Sequence, residues 1–124
     1  LRLRDLQDKT GGFNAFIPLV YQRENNFLKV TKFLTAHEIL KTYAISRILL
    51  DNIPHIKAYW ATSTINLALI AQEFGADDLD GTIQKESIQS AAGAKSANGL
   101  AMDDFIAMIK NAGFIPVQRD SLYN

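Results

Sequence analysis

His55-Ile56-Lys57-Ala58-Tyr59-Trp60 alternates polar or amphipathic and apolar side chains without a break, the period of a half-buried β-strand. His55, Lys57 and Tyr59 therefore share one face, and Ile56, Ala58 and Trp60 the other. What flanks this strand is helical. Upstream, Thr35-Ala36-His37-Glu38 is a capping box: the threonine hydroxyl can accept from the third helical amide while the glutamate reaches back. The helix it opens carries Ile39, Leu40, Tyr43, Ala44, Ile48 and Leu49 on one broad side, and should end near Asp51-Asn52 because Pro54 turns Ile53 away from helical geometry. Downstream, Thr62, Ser63 or Thr64 can cap a second helix with Leu67, Ile70, Ala71 and Phe74 at helical spacing, stopped by Gly75. Asp77-Asp78-Leu79-Asp80-Gly81 follows as a very short strand or turn.

The same alternation extends outward. Residues 15–21 read as a strand, with Pro18 marking its end or an irregular exit; residues 22–32 read as a loop. Leu1, Leu3 and Leu6 look like the end of an amphipathic helix stopped at Thr10-Gly11-Gly12. Beyond the centre, residues 85–94 and then 102–111 read as helices, the latter bearing Phe105, Ile106 and Ile109 and stopped at Gly113. Strands near 15–21, 55–60 and 77–80 separated by helices, with a helical extension over 84–124, make an α/β chain of parallel units. His37, inside the capping box, reads as a solvated helix residue.

The 124 residues are about one domain. Thirteen Lys+Arg balance thirteen Asp+Glu, which excludes a polybasic nucleic-acid binder. Hydrophobic residues at 48% and charged ones at 21% suit a folded domain. There is no cysteine, hence no disulfide, thiolate zinc site or iron–sulfur ligand in this stretch. No apolar run is long enough for a membrane span, and the start carries no signal-peptide layout. Three strands are too few to close a parallel barrel. The chain is either a small open sheet or the last three β/α units of a (β/α)8 TIM-type barrel with C-terminal helices. Leu1-Arg2-Leu3-Arg4 reads like the middle of a helix, which favours the second and leads us to expect a C-terminal portion that self-associates when isolated.

In a barrel the apolar face of residues 55–60 would lie under the helices, and His55, Lys57 and Tyr59 would point inward toward the mouth, where such folds place their sites. On an open sheet they would sit at a solvated edge. Asp77, Asp78 and Asp80 form the densest acidic cluster. Asp78-x-Asp80-Gly81 lacks the remaining ligands of a calcium loop, so no metal site is expected; one of these carboxylates is expected to pair with Lys57. Neither Gly11-Gly12 nor Ala92-Gly93-Ala94 has the spacing of a phosphate loop.

Longer motifs carry a resemblance. Thr10-Gly11-Gly12-Phe13-x-x-Phe16-Ile17-Pro18-Leu19, Leu50-Asp51-Asn52-Ile53-Pro54-His55-Ile56-Lys57-Ala58-Tyr59-Trp60, Phe74-Gly75-Ala76-Asp77-Asp78-Leu79-Asp80-Gly81-Thr82 and Pro116-Val117-x-Arg119-Asp120-x-Leu122-Tyr123 are similar to one group of radical S-adenosylmethionine enzymes. The group comprises aminofutalosine synthase, cyclic dehypoxanthinyl futalosine synthase and the deazaflavin synthase subunits; the second and third motifs most resemble its aminofutalosine synthase branch.

The resemblance implies a cytoplasmic enzyme of menaquinone biosynthesis with a complete radical S-adenosylmethionine barrel. It also implies a [4Fe-4S] cluster on a CxxxCxxC loop, absent from these residues, and an electron donor to reduce it. The implied reaction adds the 5′-deoxyadenosyl radical to 3-[(1-carboxyvinyl)oxy]benzoate, giving aminofutalosine; the segment alone would be inactive. Residues 16–21, 55–60 and 78–80 would be the sixth, seventh and eighth strands. Ile17, Pro18 and Leu19 would lie near the adenosine of S-adenosylmethionine, Lys57 and Tyr59 would meet the substrate's carboxylates, and Asp78 or Asp80 would orient Lys57. Another class remains: a stand-alone interaction domain built on the same units. No nucleic acid or membrane is expected as a partner.

Overall fold

The computed structural model describes residues 1–25, 27–83, 91 and 99–124. Its elements run α1 (Arg2–Thr10), β1 (Ala15–Phe16), α2 (Ala36–Leu49), β2 (His55–Ala58), α3 (Ile65–Gln72), β3 (Asp78–Leu79) and α4 (Met102–Asn111). The three strands form one parallel sheet in the order β1-β2-β3. Ala15 pairs with His55 and Phe16 with Ile56; Lys57 pairs with Asp78 and Ala58 with Leu79. Most of the helix expected over 85–94 lies outside the described residues. No helix among the described residues is long and apolar enough to cross a membrane.

The strands are shorter than expected from the sequence. β1 stops at Phe16 rather than running to residue 21, because Pro18 has no N–H to offer a ladder, and residues 17–21 continue irregularly. β2 ends its pairing at Ala58, yet the alternation persists: Ile56, Ala58 and Trp60 are buried, and His55, Lys57 and Tyr59 are half-buried. β3 keeps only Asp78 and Leu79 in the ladder, with Asp77 and Asp80 as its flanks.

The apolar face of β2 is the core. Ile56, Ala58 and Trp60 pack with Tyr43 of α2, Ala68 and Ala71 of α3, and Phe105 of α4. Alanines at 58, 68 and 71 let helix and sheet backbones approach closely, and Tyr43 and Trp60 fill the remaining volume. The Trp60 indole N–H donates to the Asp80 and Gly81 carbonyls at 2.9 and 3.2 Å, so the ring also fixes the end of β3. Both helices begin where the sequence signals them. Thr35 and Glu38 form the reciprocal box on α2, and Thr64, one of three candidates, caps α3 by accepting from the Leu67 amide. Lys32 and the Thr35 amide together hold the Glu38 carboxyl down at about 2.

α1 is the helix expected at the start of the chain, capped at Gly11 in the left-handed conformation. Leu1, Leu3 and Leu6 are exposed, and the residue it buries is Gln7. The Gln7 amide donates to the Phe13 and Asn52 carbonyls at 2.9 and 3.2 Å and accepts from the Phe13 N–H at 2.8 Å. Asn52 returns donors to the Arg4 carbonyl and to Asp8. A side-chain amide thus stands in for backbone pairing where α1 meets the loops entering β1 and β2.

Arg47 does the same one strand further on. From the last turn of α2 it donates to the Gly75, Ile53 and Pro54 carbonyls and to Asp77. It can pass there only because residue 75 has no side chain: a Cβ on Gly75 would lie 2.7 Å from the Arg47 Cβ, and φ is +97°. Gly75→Ala should therefore cost about 2 kcal/mol or more, combining clash and backbone strain. Gly11→Ala, at φ +58° in open space, should cost only about 1 kcal/mol. Urea unfolding of the two variants beside the parent checks the order; equal costs would show that Arg47 has room to move.

Candidate functional site

The polar face of β2 and the flanks of β3 bring charged groups together because parallel strands in register point matched residues the same way. Lys57 lies opposite Asp78, and Asp80 follows two residues on, back on that face. The Lys57 ammonium is 3.2 Å from Asp80 Oδ1 and 3.8 Å from Asp78 Oδ2. Asp80, then, is the nearer partner. Its second oxygen, Oδ2, is buried with no hydrogen-bond partner among the described residues. Burial pushes the Asp80 carboxyl above its ordinary range, against the pull of Lys57.

Asp78, on the same face, is held by other donors. Arg119 donates to both of its oxygens, Nε to Oδ1 at 3.0 Å and Nη2 to Oδ2 at 2.6 Å, and the Tyr123 hydroxyl donates to Oδ2 at 2.7 Å. This is the two-pronged geometry in which guanidinium and carboxylate bind most firmly. Tyr123 also stacks on the His55 ring, centroids 4.0 Å apart and planes at 6°, and lies under the Arg119 guanidinium. Burial and the Asp78 carboxylate push the Tyr123 phenol well above its ordinary range. Its backbone sits at φ +66°, a conformation disfavoured for a residue with a Cβ, and held here by the His55 and Arg119 contacts of the ring and the bond of its hydroxyl to Asp78.

A second knot lies at the starts of the same strands. Asp77 accepts from Arg47 at 2.7 Å, from the Ile56 N–H at 2.7 Å and faces His55 Nδ1 at 2.8 Å. The polar face is thus graded along the strands. His55 and Asp77 stand at its amino end, Lys57 and Asp78 lie level with each other, and Asp80 and Tyr59 stand nearer the carboxyl end, where ligands of open and closed α/β sheets bind.

Among the residues singled out in the sequence, Lys57, Asp78 and Asp80 come together. Tyr59 lies just past β2, half-buried and packed against the core. Ile17 and Leu19 are exposed, with Pro18 half-buried between them, just beyond the carboxyl end of β1. The described residues contain no cluster of three or more His, Cys, Asp or Glu able to hold a metal. Sequence reasoning did not foresee the Arg119–Tyr123 clasp. Both residues stand in the motif over 116–123, but nothing in that motif points to a partner 41 residues upstream. Arg47 was equally silent: a cation in the last turn of a helix carries no mark of the carbonyls it will reach.

Residues 10–124 match the family model described as the CofH/MqnC C-terminal region. An aminodeoxyfutalosine synthase of Thermus thermophilus is 45% identical over 126 residues, covering 98% of this chain and 34% of that protein. A cyclic dehypoxanthine futalosine synthase of Streptomyces coelicolor is 42% identical over 121 residues, 98% of this chain and 30% of the other. A 5-amino-6-(D-ribitylamino)uracil–L-tyrosine 4-hydroxyphenyl transferase of Methanococcoides burtonii is 38% identical over 130 residues, 99% and 36%. The chain spans about a third of the length of the curated relatives it matches.

Asp78→Asn should strip the Arg119 guanidinium of its charged partner and cost about 3 kcal/mol, the range for breaking a buried ion pair. Amide exchange should speed up first at residues 119–123. A variant as stable as the parent, with that segment still protected, would mean that the clasp contributes nothing.

Proposed function

Because the chain belongs to the CofH/MqnC C-terminal region family, we propose that it forms the closing part of a radical S-adenosylmethionine barrel enzyme that makes aminodeoxyfutalosine for menaquinone biosynthesis. The observation that carries this reading is the match to aminodeoxyfutalosine synthases over nearly the whole chain. The parallel sheet supports it, with a charged pair near its carboxyl end. On this reading β1, β2 and β3 are the sixth, seventh and eighth strands of a (β/α)8 barrel, and their polar face looks inward. Cyclic dehypoxanthine futalosine synthase is the second reading, favoured by the comparable identity of its Streptomyces representative.

The cofactors divide by what these residues can hold. A [4Fe-4S] cluster needs thiolates, and the chain has no cysteine, so its ligands would belong to other parts of the enzyme, as would the docking site of the electron donor. S-adenosylmethionine supplies the reactive adenosyl group when bound. Ile17, Pro18 and Leu19, just past β1, offer backbone polar groups and apolar side chains to an adenosine, and their exposure suits that task. Lys57 and Tyr59 would receive a carboxylate of 3-[(1-carboxyvinyl)oxy]benzoate, through a charge-assisted bond and a hydroxyl donor. Asp80 would hold the ammonium in place, and Asp78, committed to Arg119 and Tyr123, would act through the clasp. The core behind Tyr59 and Trp60 keeps water from that side. Exposed Leu1, Leu3, Leu6, Ile17 and Leu19 would pack against the remainder of such a barrel, or against a second copy when the segment is isolated.

The full-length enzyme, reconstituted anaerobically and given S-adenosylmethionine with the enolpyruvyl benzoate, should yield aminodeoxyfutalosine. Lys57→Ala should raise KM about 100-fold, the effect of removing one partner of a desolvated charge contact. Absence of product would refute the assigned reaction; unchanged kinetics of the variant would remove Lys57 from the substrate.

A further inference from the structure

Lys57 does not stand on the inner face as a spare cation. It meets Asp80 and Asp78, Arg119 meets Asp78, and the two positive charges cancel the two negative ones. At the amino end, Arg47 likewise answers Asp77. An anion arriving at Lys57 would leave the set net negative in a half-buried place, where close like charges cannot all stay ionised. One carboxylate must then take a proton, and the geometry distinguishes them. Both oxygens of Asp78 are committed to donors, Arg119 on each and Tyr123 on Oδ2, so protonating it would pit O–H against N–H and O–H. Asp80 has Lys57 on Oδ1 and no hydrogen-bond partner on its buried Oδ2 among the described residues.

We propose that a carboxylate ligand docking on Lys57 brings a proton from solvent onto Asp80, the aspartate with an oxygen not already held by a donor, while the Lys57 ammonium keeps its charge. The inference rests on the reading that a substrate carboxylate meets Lys57. No bond other than O–H is made, and the ligand stays ionised, so an anion enters and the local charge is unchanged.

The surroundings of Asp80 agree. Burial raises its carboxyl, Asp78 of β3 adds to the rise, and Lys57 of β2 and Arg119 of the C-terminal segment oppose it. From α2, Tyr43 faces it with a phenol pushed up to about 12 by burial and further by the Asp80 charge, so it stays neutral and cannot relieve the imbalance. A bound anion next to Lys57 removes much of what keeps Asp80 ionised.

The test is calorimetric titration of the full-length enzyme with 3-[(1-carboxyvinyl)oxy]benzoate at neutral pH, in two buffers that differ in ionisation enthalpy. The expected result is a buffer-dependent heat corresponding to nearly one proton taken up per ligand. Affinity should weaken by about tenfold per pH unit toward alkali, the slope for one linked proton. Asp80→Asn, neutral and of the same shape, should bind at least as tightly, without uptake and with a flat pH profile. Binding without uptake in the parent, or uptake undiminished in Asp80→Asn, overturns the proposal. Failure of the parent to bind overturns it together with the substrate assignment; product formation in the reconstituted assay without proton uptake sinks the proton linkage alone.

Discussion

Asp78 is 8% exposed, and a carboxylate that dry is tolerable only if donors surround it. That requirement organises the polar side of the molecule. Arg119 and Tyr123 satisfy it from the far end of the chain, which draws the last residues across the sheet. Their position explains the His55–Tyr123 stack and the left-handed backbone of Tyr123. It also sorts the two aspartates of β3: with Asp78 saturated, Lys57 leans on Asp80 at 3.2 Å. The Lys57–Asp80 pair is therefore a product of how Asp78 is satisfied.

The opposite face obeys a different constraint. Ile56 and Ala58 are fully buried, and small side chains on α3 bring that helix close to the sheet. The loops that turn from helix into strand then have little room, and their backbone groups must find partners in tight quarters. Gln7 and Arg47 meet that need with long polar side chains that reach several carbonyls at once. The molecule is thus dry and apolar above the sheet, polar and stapled below its strand starts.

How much of this the sequence disclosed follows from which forces are local. The strict alternation at 55–60, the Thr35–Glu38 box and Gly75 are local signals, and each marks its element in the structure. Strand length was not local: residues 17–21 look extended, but the ladder stops at Phe16, short of Pro18. The spacing of Leu1, Leu3 and Leu6 marks α1 but not the role of Gln7, because a glutamine that satisfies three backbone groups carries no periodic mark. The face shared by Lys57, Asp78 and Asp80 was legible from alternation alone. Which aspartate takes Lys57 was not, since that depends on Arg119, whose meeting with Asp78 is decided by tertiary packing rather than by spacing.

The clasp also sets an order of events during synthesis. Tyr123 lies 45 residues beyond the carboxylate it meets, so a nascent chain exposes β3 well before its guanidinium and phenol exist. Domains acquire structure from the amino end as they are made, and this sheet would wait, its Asp78 still hydrated, while the helix between is translated. Residues 119–123 then act as the closing stitch: until the ribosome has delivered them, the strands can assemble on their apolar side but the polar surface stays wet and unset.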